Sequence, residues 1–147
     1  MYFANSNIDT LGEYEKRLTE ARKVAAAEGV EIFAEPYNHD EWLKEVAAGY
    51  ENEPEKGARC ERCFRYNLKK TAEFAREHGY ERFTTSLTIS PHKVSEQVFA
   101  AGFAAGENFL PENFKKHEGF KRSLLRSKEL KLYRQSYCGC EFSKVHS

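Results

Sequence analysis

The 147-residue sequence lacks a long apolar run, a nucleotide-binding glycine loop and an excess of charge of either sign. No stretch approaches the roughly 20 apolar residues of a membrane-spanning helix, so no membrane contact is expected. The patterns Gly-x-Gly-x-x-Gly and Gly-x-x-x-x-Gly-Lys-Ser/Thr are also missing, which argues against a standard nucleotide-binding loop. The 23 Lys and Arg residues balance 23 Asp and Glu residues, which counts mildly against a protein that wraps nucleic acid.

Residues 1–5 have no basic region followed by an apolar stretch, so a secretory signal is not predicted there. We therefore expect the protein in the cytoplasm, a reducing compartment in which structural disulfides are rare. Closely spaced cysteines in such a compartment are more often metal ligands or redox groups.

Strand-like and helix-like patterns alternate along the chain. Strands are predicted at residues 1–4, 30–34, 83–87 and, weakly, 108–110. Helices are predicted between the Thr10 cap and Gly29, from His39, and at residues 60–78, 94–105 and 120–130. This alternation predicts an α/β fold with a parallel sheet flanked by helices. We expect one α/β domain over residues 1–147, in which residues 131–147 form a C-terminal tail.

The four cysteines form two tight pairs, Cys60-x-x-Cys63 and Cys138-Gly-Cys140. The first pair lies at the predicted start of a helix, where backbone N–H groups and neighbouring arginines favour thiolates. In the second pair the intervening glycine lets the backbone turn so that both sulfurs can face one centre. Two such pairs supply four soft ligands if the fold brings them together.

Three other interpretations of the cysteines stay open at this point. They could be small buried hydrophobic side chains. They could hold one structural zinc ion in an RNA-interacting domain. The first pair could alternatively serve as a metal-free dithiol oxidoreductase.

Two further segments have both a functional and a structural interpretation. Thr88, Ser90, His92 and Lys93 follow a predicted strand, so they could contact a phosphate or sugar, or simply form a turn and cap the next helix. The last third of the chain is locally basic and contains Tyr133 and Tyr137, which could bind a nucleic-acid backbone and stack a base. A solvated helix face would carry the same charges. His39 is interpreted as a helix-end residue and Trp42 as a packing residue.

Four segments, taken in order, resemble the cobalamin-independent epoxyqueuosine reductases, the QueH family. They are Tyr2-Phe-Ala-Asn-Ser-Asn-Ile, Cys60-Glu-Arg-Cys-Phe, Phe83-Thr-Thr-Ser-Leu-Thr-Ile-Ser-Pro-His-Lys, and Tyr133-Arg-Gln-Ser-Tyr-Cys-Gly-Cys-Glu-Phe-Ser. The resemblance covers essentially the whole chain, and the last segment is the most specific.

The resemblance implies a fold similar to the nucleotide α-hydrolase-like (HUP) folds and the reduction of epoxyqueuosine to queuosine at the wobble position of tRNA. It implies an iron–sulfur cluster, expected to be 4Fe-4S, with an additional iron nearby and an electron donor of unknown identity. Cys60, Cys63, Cys138 and Cys140 fall on the family's metal-binding cysteines. Candidate contacts to tRNA are Arg59, Arg62, Lys93 and Arg134, and no catalytic residue is assigned.

The sequence departs from the family pattern at its start. Family members open with a strand and a His-x-Cys-Cys-Ala-Pro-Cys/Asp motif, whereas this chain begins at the following strand. We therefore expect an N-terminally incomplete domain whose four cysteines supply part of the family's metal site. A longer gene product, an inactive remnant and a partner chain that supplies the missing segment are the three explanations.

Overall fold

The computed structural model describes residues 1–144, and the chain divides into two compact units. Unit 1 consists of Met1–Glu51 and Arg126–Ser147, of which residues up to 144 are described, and unit 2 consists of Asn52–Leu125. The secondary structure mixes helices with a small parallel sheet, so the predicted α/β class is confirmed at that level. In the described residues, no helix combines the length and apolar character needed to cross a membrane.

Unit 1 is built on a two-stranded parallel sheet. Strand β1 (Tyr2–Phe3) pairs with strand β2 (Phe33–Ala34), and helix α1 (Leu11–Glu28) connects them. The Thr10 hydroxyl accepts a hydrogen bond from the Glu13 N–H, which is the predicted N-terminal cap, and Gly29 ends the helix with φ of 66°. Each strand is shorter than predicted: β1 covers two residues of the predicted 1–4, and β2 covers two residues of the predicted 30–34.

A short helix follows the sheet of unit 1. Helix α2 (His39–Trp42) continues into a π-helical turn (Leu43–Ala47), and Asn38 caps its start. The Trp42 side chain is fully buried, which confirms its predicted packing role. A separate cluster of Ile8, Tyr14 and Leu18 fills the space beside the sheet.

Unit 2 has two main helices around one apolar core. Helix α3 (Ala58–Glu77) and helix α4 (Ser95–Ala105) pack together, and helix α5 (Gly119–Glu129) begins in this unit. The core consists of Phe64, Leu68, Ala75, Phe83, Val98, Ala101 and Phe109. A Cβ atom on Gly102 would lie 2.4 Å from the Phe109 ring, so this glycine permits the close approach of α4 to the core.

The predicted strand at residues 83–87 is wrong. Phe83 forms only an isolated parallel bridge with Phe109, and Leu87–Ile89 is a 3-10 turn. The hydroxyls explain the difference: Thr84 donates to the Leu110 carbonyl, and Thr85 accepts from the Leu87 N–H. Side chains that bind nearby backbone groups in this way compete with the hydrogen bonds of a strand ladder.

Candidate metal centre

The first thiol pair lies in unit 2 near the start of α3, which begins at Ala58, two residues before the predicted start. Cys60 is half-buried and packs against the apolar core, and Cys63 is also half-buried. The Asn67 amide lies 3.7 Å from the Cys63 Sγ and donates to it. A spacing of three residues places both thiols on one side of the helix.

Arg59 and Arg62 flank this pair and were predicted to contact tRNA. Arg59 is only 2% exposed, and its Nη1 donates to the Glu53 carbonyl at 2.7 Å. This burial favours a role in holding the loop before α3 over a role at the surface. Arg62 is half-buried on the same helix.

Lys93 and Arg134, the other two predicted tRNA contacts, differ in exposure. The Lys93 Nζ of unit 2 lies 5.5 Å from the centre of the Phe64 ring, and its side chain is half-buried. Arg134 of unit 1 is exposed.

Thr88, which precedes Lys93 in unit 2, is fully buried. Its hydroxyl donates to the Glu112 carbonyl and accepts from the Phe114 N–H. Thr88 therefore stabilises the local backbone, which is the structural alternative of its two interpretations.

The second thiol pair lies in unit 1, where Gly139 sets the path of the backbone. Cys138 is half-buried and Cys140 is 8% exposed. Gly139 has φ of 154°, a value that L-residues rarely adopt. A Cβ atom there would lie 2.8 Å from the Asn7 Nδ2 and 3.3 Å from the Ile8 side chain. Only glycine fits this position, and its carbonyl accepts a hydrogen bond of 2.9 Å from the Asp9 N–H.

Arg17 on α1 fixes the chain that leads into the second pair. Its Nη1 donates to the Cys138 carbonyl at 2.6 Å and its Nη2 to the Tyr137 carbonyl at 2.9 Å. The remaining Nε–H donates to Glu13 at 2.8 Å, so the planar guanidinium serves three acceptors at once. The Arg17 side chain is only 10% exposed, which strengthens these charge-assisted bonds.

The bonds of Arg17 and several further contacts hold residues 133–144 on residues 7–20, and we call the whole set the tail clamp. The Tyr137 hydroxyl donates to Asp9 at 2.5 Å, and the Lys144 ammonium lies 2.6 Å from the same carboxylate. The Tyr133 hydroxyl donates to Glu13 at 3.0 Å, and the Lys16 Nζ lies 3.7 Å from the centre of the Tyr133 ring.

The tail clamp shifts the ionisation of its carboxylates. Burial by itself raises the pKa of Asp9, but hydrogen bonds from Lys144 and Tyr137 outweigh it and leave the pKa below the ordinary value of 3.8. Burial likewise raises the pKa of Glu13, and hydrogen bonds from Arg17 and Tyr133 bring it below 4.5. Both side chains are therefore held as anions that bind the tail.

His39 has a partner that the sequence did not indicate. Its Nδ1 lies 2.8 Å from the Ser6 carbonyl, and its Nε2 lies 3.0 Å from the Glu141 carboxylate, directly after Cys140. The ring is 8% exposed and stacks on Trp42 with 5.3 Å between centroids. The interpretation of His39 as a simple helix-end residue is therefore incomplete. Glu141 is 102 residues away, so no local pattern could have revealed the contact.

The donor set suits a soft metal. Each unit offers one thiol pair on a defined backbone, and thiolates are the preferred ligands of zinc and of iron in iron–sulfur clusters. Within residues 1–144, no group of three or more His, Cys, Asp or Glu residues is arranged to hold a metal ion. The suitability of the cysteines for a metal therefore rests on the chemistry of the two thiol pairs and on the hydrogen bonds that hold each pair.

These features define an α/β chain with two thiol pairs, each supported by hydrogen bonds to its own neighbours. Residues 1–146 match the family described as Epoxyqueuosine reductase QueH. The chain belongs to the QueH family, as the sequence resemblance predicted.

Curated relatives from three bacteria carry the same description. Epoxyqueuosine reductase QueH of Streptococcus pyogenes is 38% identical over 97% of this chain and 60% of the relative. The Haemophilus influenzae protein is 36% identical over 97% of this chain and 60% of the relative. The Thermotoga maritima protein is 38% identical over 97% of this chain and 77% of its own length. The chain thus spans about 60% of the length of the first two relatives.

Proposed function

We propose that this chain acts in the reduction of epoxyqueuosine to queuosine in tRNA, in the cytoplasm. The observation that carries the proposal is the family match over residues 1–146, and the two thiol pairs of the chain support it. Relatives named for this activity support it. The proposal includes the finer fold relation to the nucleotide α-hydrolase-like proteins.

The reaction removes the epoxide oxygen as water. Both C–O bonds break, a carbon–carbon double bond forms, and the change consumes two electrons and two protons. A cluster or iron held by Cys60, Cys63, Cys138 and Cys140 would supply electrons and polarise the epoxide oxygen when bound. The electrons come from a donor whose identity is open. No residue is assigned as the source of the protons.

The residues of this chain would prepare the thiols for that role. Gly139 gives the backbone the turn that places a cysteine on either side of it. Arg17 and Asp9 fix the carbonyls of Cys138 and Gly139, so the pair is held before any metal binds. Outer hydrogen bonds of this kind typically change metal affinity or activity by 10- to 100-fold when removed.

Iron content tests the proposal. Cys138→Ser is expected to lower the iron retained after anaerobic reconstitution by about tenfold or more, because a ligand matters at least as much as its outer partners. Ser136→Ala, an exposed neighbour, is the matched control and should keep its iron. Iron analysis and visible absorption of the reconstituted proteins provide the measurement.

A second assay follows the reaction itself. The reconstituted protein, a chemical reductant and tRNA containing epoxyqueuosine should yield a nucleoside lighter by one oxygen atom. A colourless protein that retains zinc and shows no redox change would favour the structural zinc alternative. A reversible disulfide with no dependence on metal would favour the dithiol oxidoreductase, and either result would replace the proposal.

A further inference from the structure

Helix α5 is an unusual surface element. Helices in proteins are normally stabilised by burying one face against a core, but α5 has no fully buried residue: one face (Gly119, Ser123, Leu124 and Ser127) is half-buried and the other seven residues are exposed. Leu125 is 54% exposed and Phe120 is 37% exposed. The helix therefore presents its other face to solvent or to a partner.

The same region concentrates positive charge in a chain that has no net charge. Residues 115–131 contain seven of the 23 Lys and Arg residues but only two of the 23 Asp and Glu residues. The rest of the chain is consequently acidic. The overall charge balance, which counted against nucleic-acid binding, conceals one basic segment.

Some of these cations are already occupied inside the protein. The Lys115 Nζ donates to the Lys93 carbonyl and the Ser95 hydroxyl, each at 2.9 Å. Arg126 forms ion pairs with Glu28 at 2.8 Å and Glu129 at 3.0 Å. Both side chains therefore have structural partners.

Lys121 and Arg122 differ from these two. Both are exposed, and neither forms an ion pair within residues 1–144. They lie in the first turn of α5, which has no acidic residue. Cations are unfavourable at a helix N-terminus because they oppose the helix dipole, so this arrangement opposes the stability of the helix itself. Local arrangements that reduce stability are typical of functional positions.

We propose that Lys121 and Arg122 form an RNA-docking face that binds the phosphate backbone of the tRNA, with exposed Lys116 just before the helix. The inference rests on the proposed function, because that function supplies an RNA substrate. An RNA backbone has the complementary charge, and its phosphates would relieve the unfavourable cations of the first turn. Contacts of this kind position an RNA without reading its sequence.

Salt-dependent binding tests the docking face. The full chain, the double variant Lys121→Gln/Arg122→Gln and the control Lys69→Gln/Arg76→Gln are titrated with fluorescent unmodified tRNA at several KCl concentrations. The control removes the same charge from exposed positions on α3 of unit 2. In the α5 variant, the slope of log affinity against log salt should fall by about two, one for each phosphate contact. Affinity at 50 mM salt should fall by about tenfold or more.

Each alternative outcome overturns the inference in a different way. If the parent binds tRNA and the α5 variant binds with unchanged slope, the docking face is wrong while the proposed function stands. Equal losses of tRNA affinity in the α5 variant and the control would show that only net charge matters, not the position of the cations. A parent that does not bind tRNA would remove both the substrate and the docking face. If the α5 variant loses the parent's binding to phosphatidylserine vesicles but keeps its tRNA binding, α5 is a membrane-binding surface instead.

Discussion

Gly139 determines how the second thiol pair is presented. Its positive φ and the contacts around its missing Cβ exclude every L-residue without a local shift. The sequence indicated the need for a flexible residue between the two cysteines. It did not indicate that Asn7 and Ile8 leave no space there, because those residues are more than 130 positions earlier.

Gly139→Ala is predicted to lower the free energy of unfolding by about 1–3 kcal/mol, the usual cost of forcing an L-residue into a strained backbone region. Gly12→Ala is the matched control, because no atom lies within 4 Å of its added Cβ and its φ is not positive. That control should be neutral or more stable by about 0.5–1 kcal/mol. Denaturant unfolding followed by circular dichroism measures both, and equal midpoints for the two variants would contradict the prediction.

The tail clamp is the feature that matters most at the scale of the elements. It binds donors and acceptors of residues 133–144 to helix α1 and the turn before it, and the carboxylates of Asp9 and Glu13 accept several of these bonds. Because both carboxylates have pKa values below their ordinary ones, the clamp depends on their ionisation. Its contribution to stability is fully present above about pH 5 and is lost as the pH falls below 4.

Asp9→Asn should therefore destabilise the protein at neutral pH and make progressively less difference below about pH 4. In the parent, the carboxylate becomes protonated in that range and loses its attraction for Lys144. Thermal unfolding from pH 3 to pH 7 measures the difference between the two proteins. Glu15→Gln, an exposed position on α1, is the control. A stability difference that stays constant across this range would show that Asp9 acts through packing alone.

The helices could be predicted from the sequence more accurately than the strands. The main helices begin and end within two residues of the predicted positions, since caps such as Thr10 and Gly29 act on their own helix. The strand predicted at 83–87 failed because pairing partners and hydroxyl contacts depend on residues about 25 positions away. For the same reason, the thiol pairs could be found by spacing, whereas Arg17 and His39 could not.

At the scale of the whole molecule, each unit has its own buried cluster. In unit 2, Leu68 on α3 is 2% exposed and belongs to the same cluster as Val98 on α4. The apolar contacts between these two helices are therefore the main source of stability of that unit. The exposed cations of α5 contribute nothing to this core, which is consistent with a role in binding.

Leu68→Ala is expected to cost about 2–5 kcal/mol, because it removes buried methyl groups and leaves a cavity. Amide hydrogen exchange should show faster exchange along α3 and α4 in this variant. The neighbouring exposed Lys69→Ala should stay within about 0.5 kcal/mol of the parent. Unchanged exchange in α4 would mean that the two helices do not share one cooperative core.

The tail clamp also constrains the order in which parts of the protein fold during synthesis. Arg17 and the carbonyl that it binds are separated by 121 residues, and the whole of residues 52–125 lies between the two parts of unit 1. A ribosome synthesises the chain from its N-terminus at about 5–20 residues per second. Helix α1 is therefore made several seconds before residues 133–144, to which it binds. Unit 2 can fold during that delay. Docking of the second thiol pair onto α1 is therefore among the last steps in the folding of unit 1.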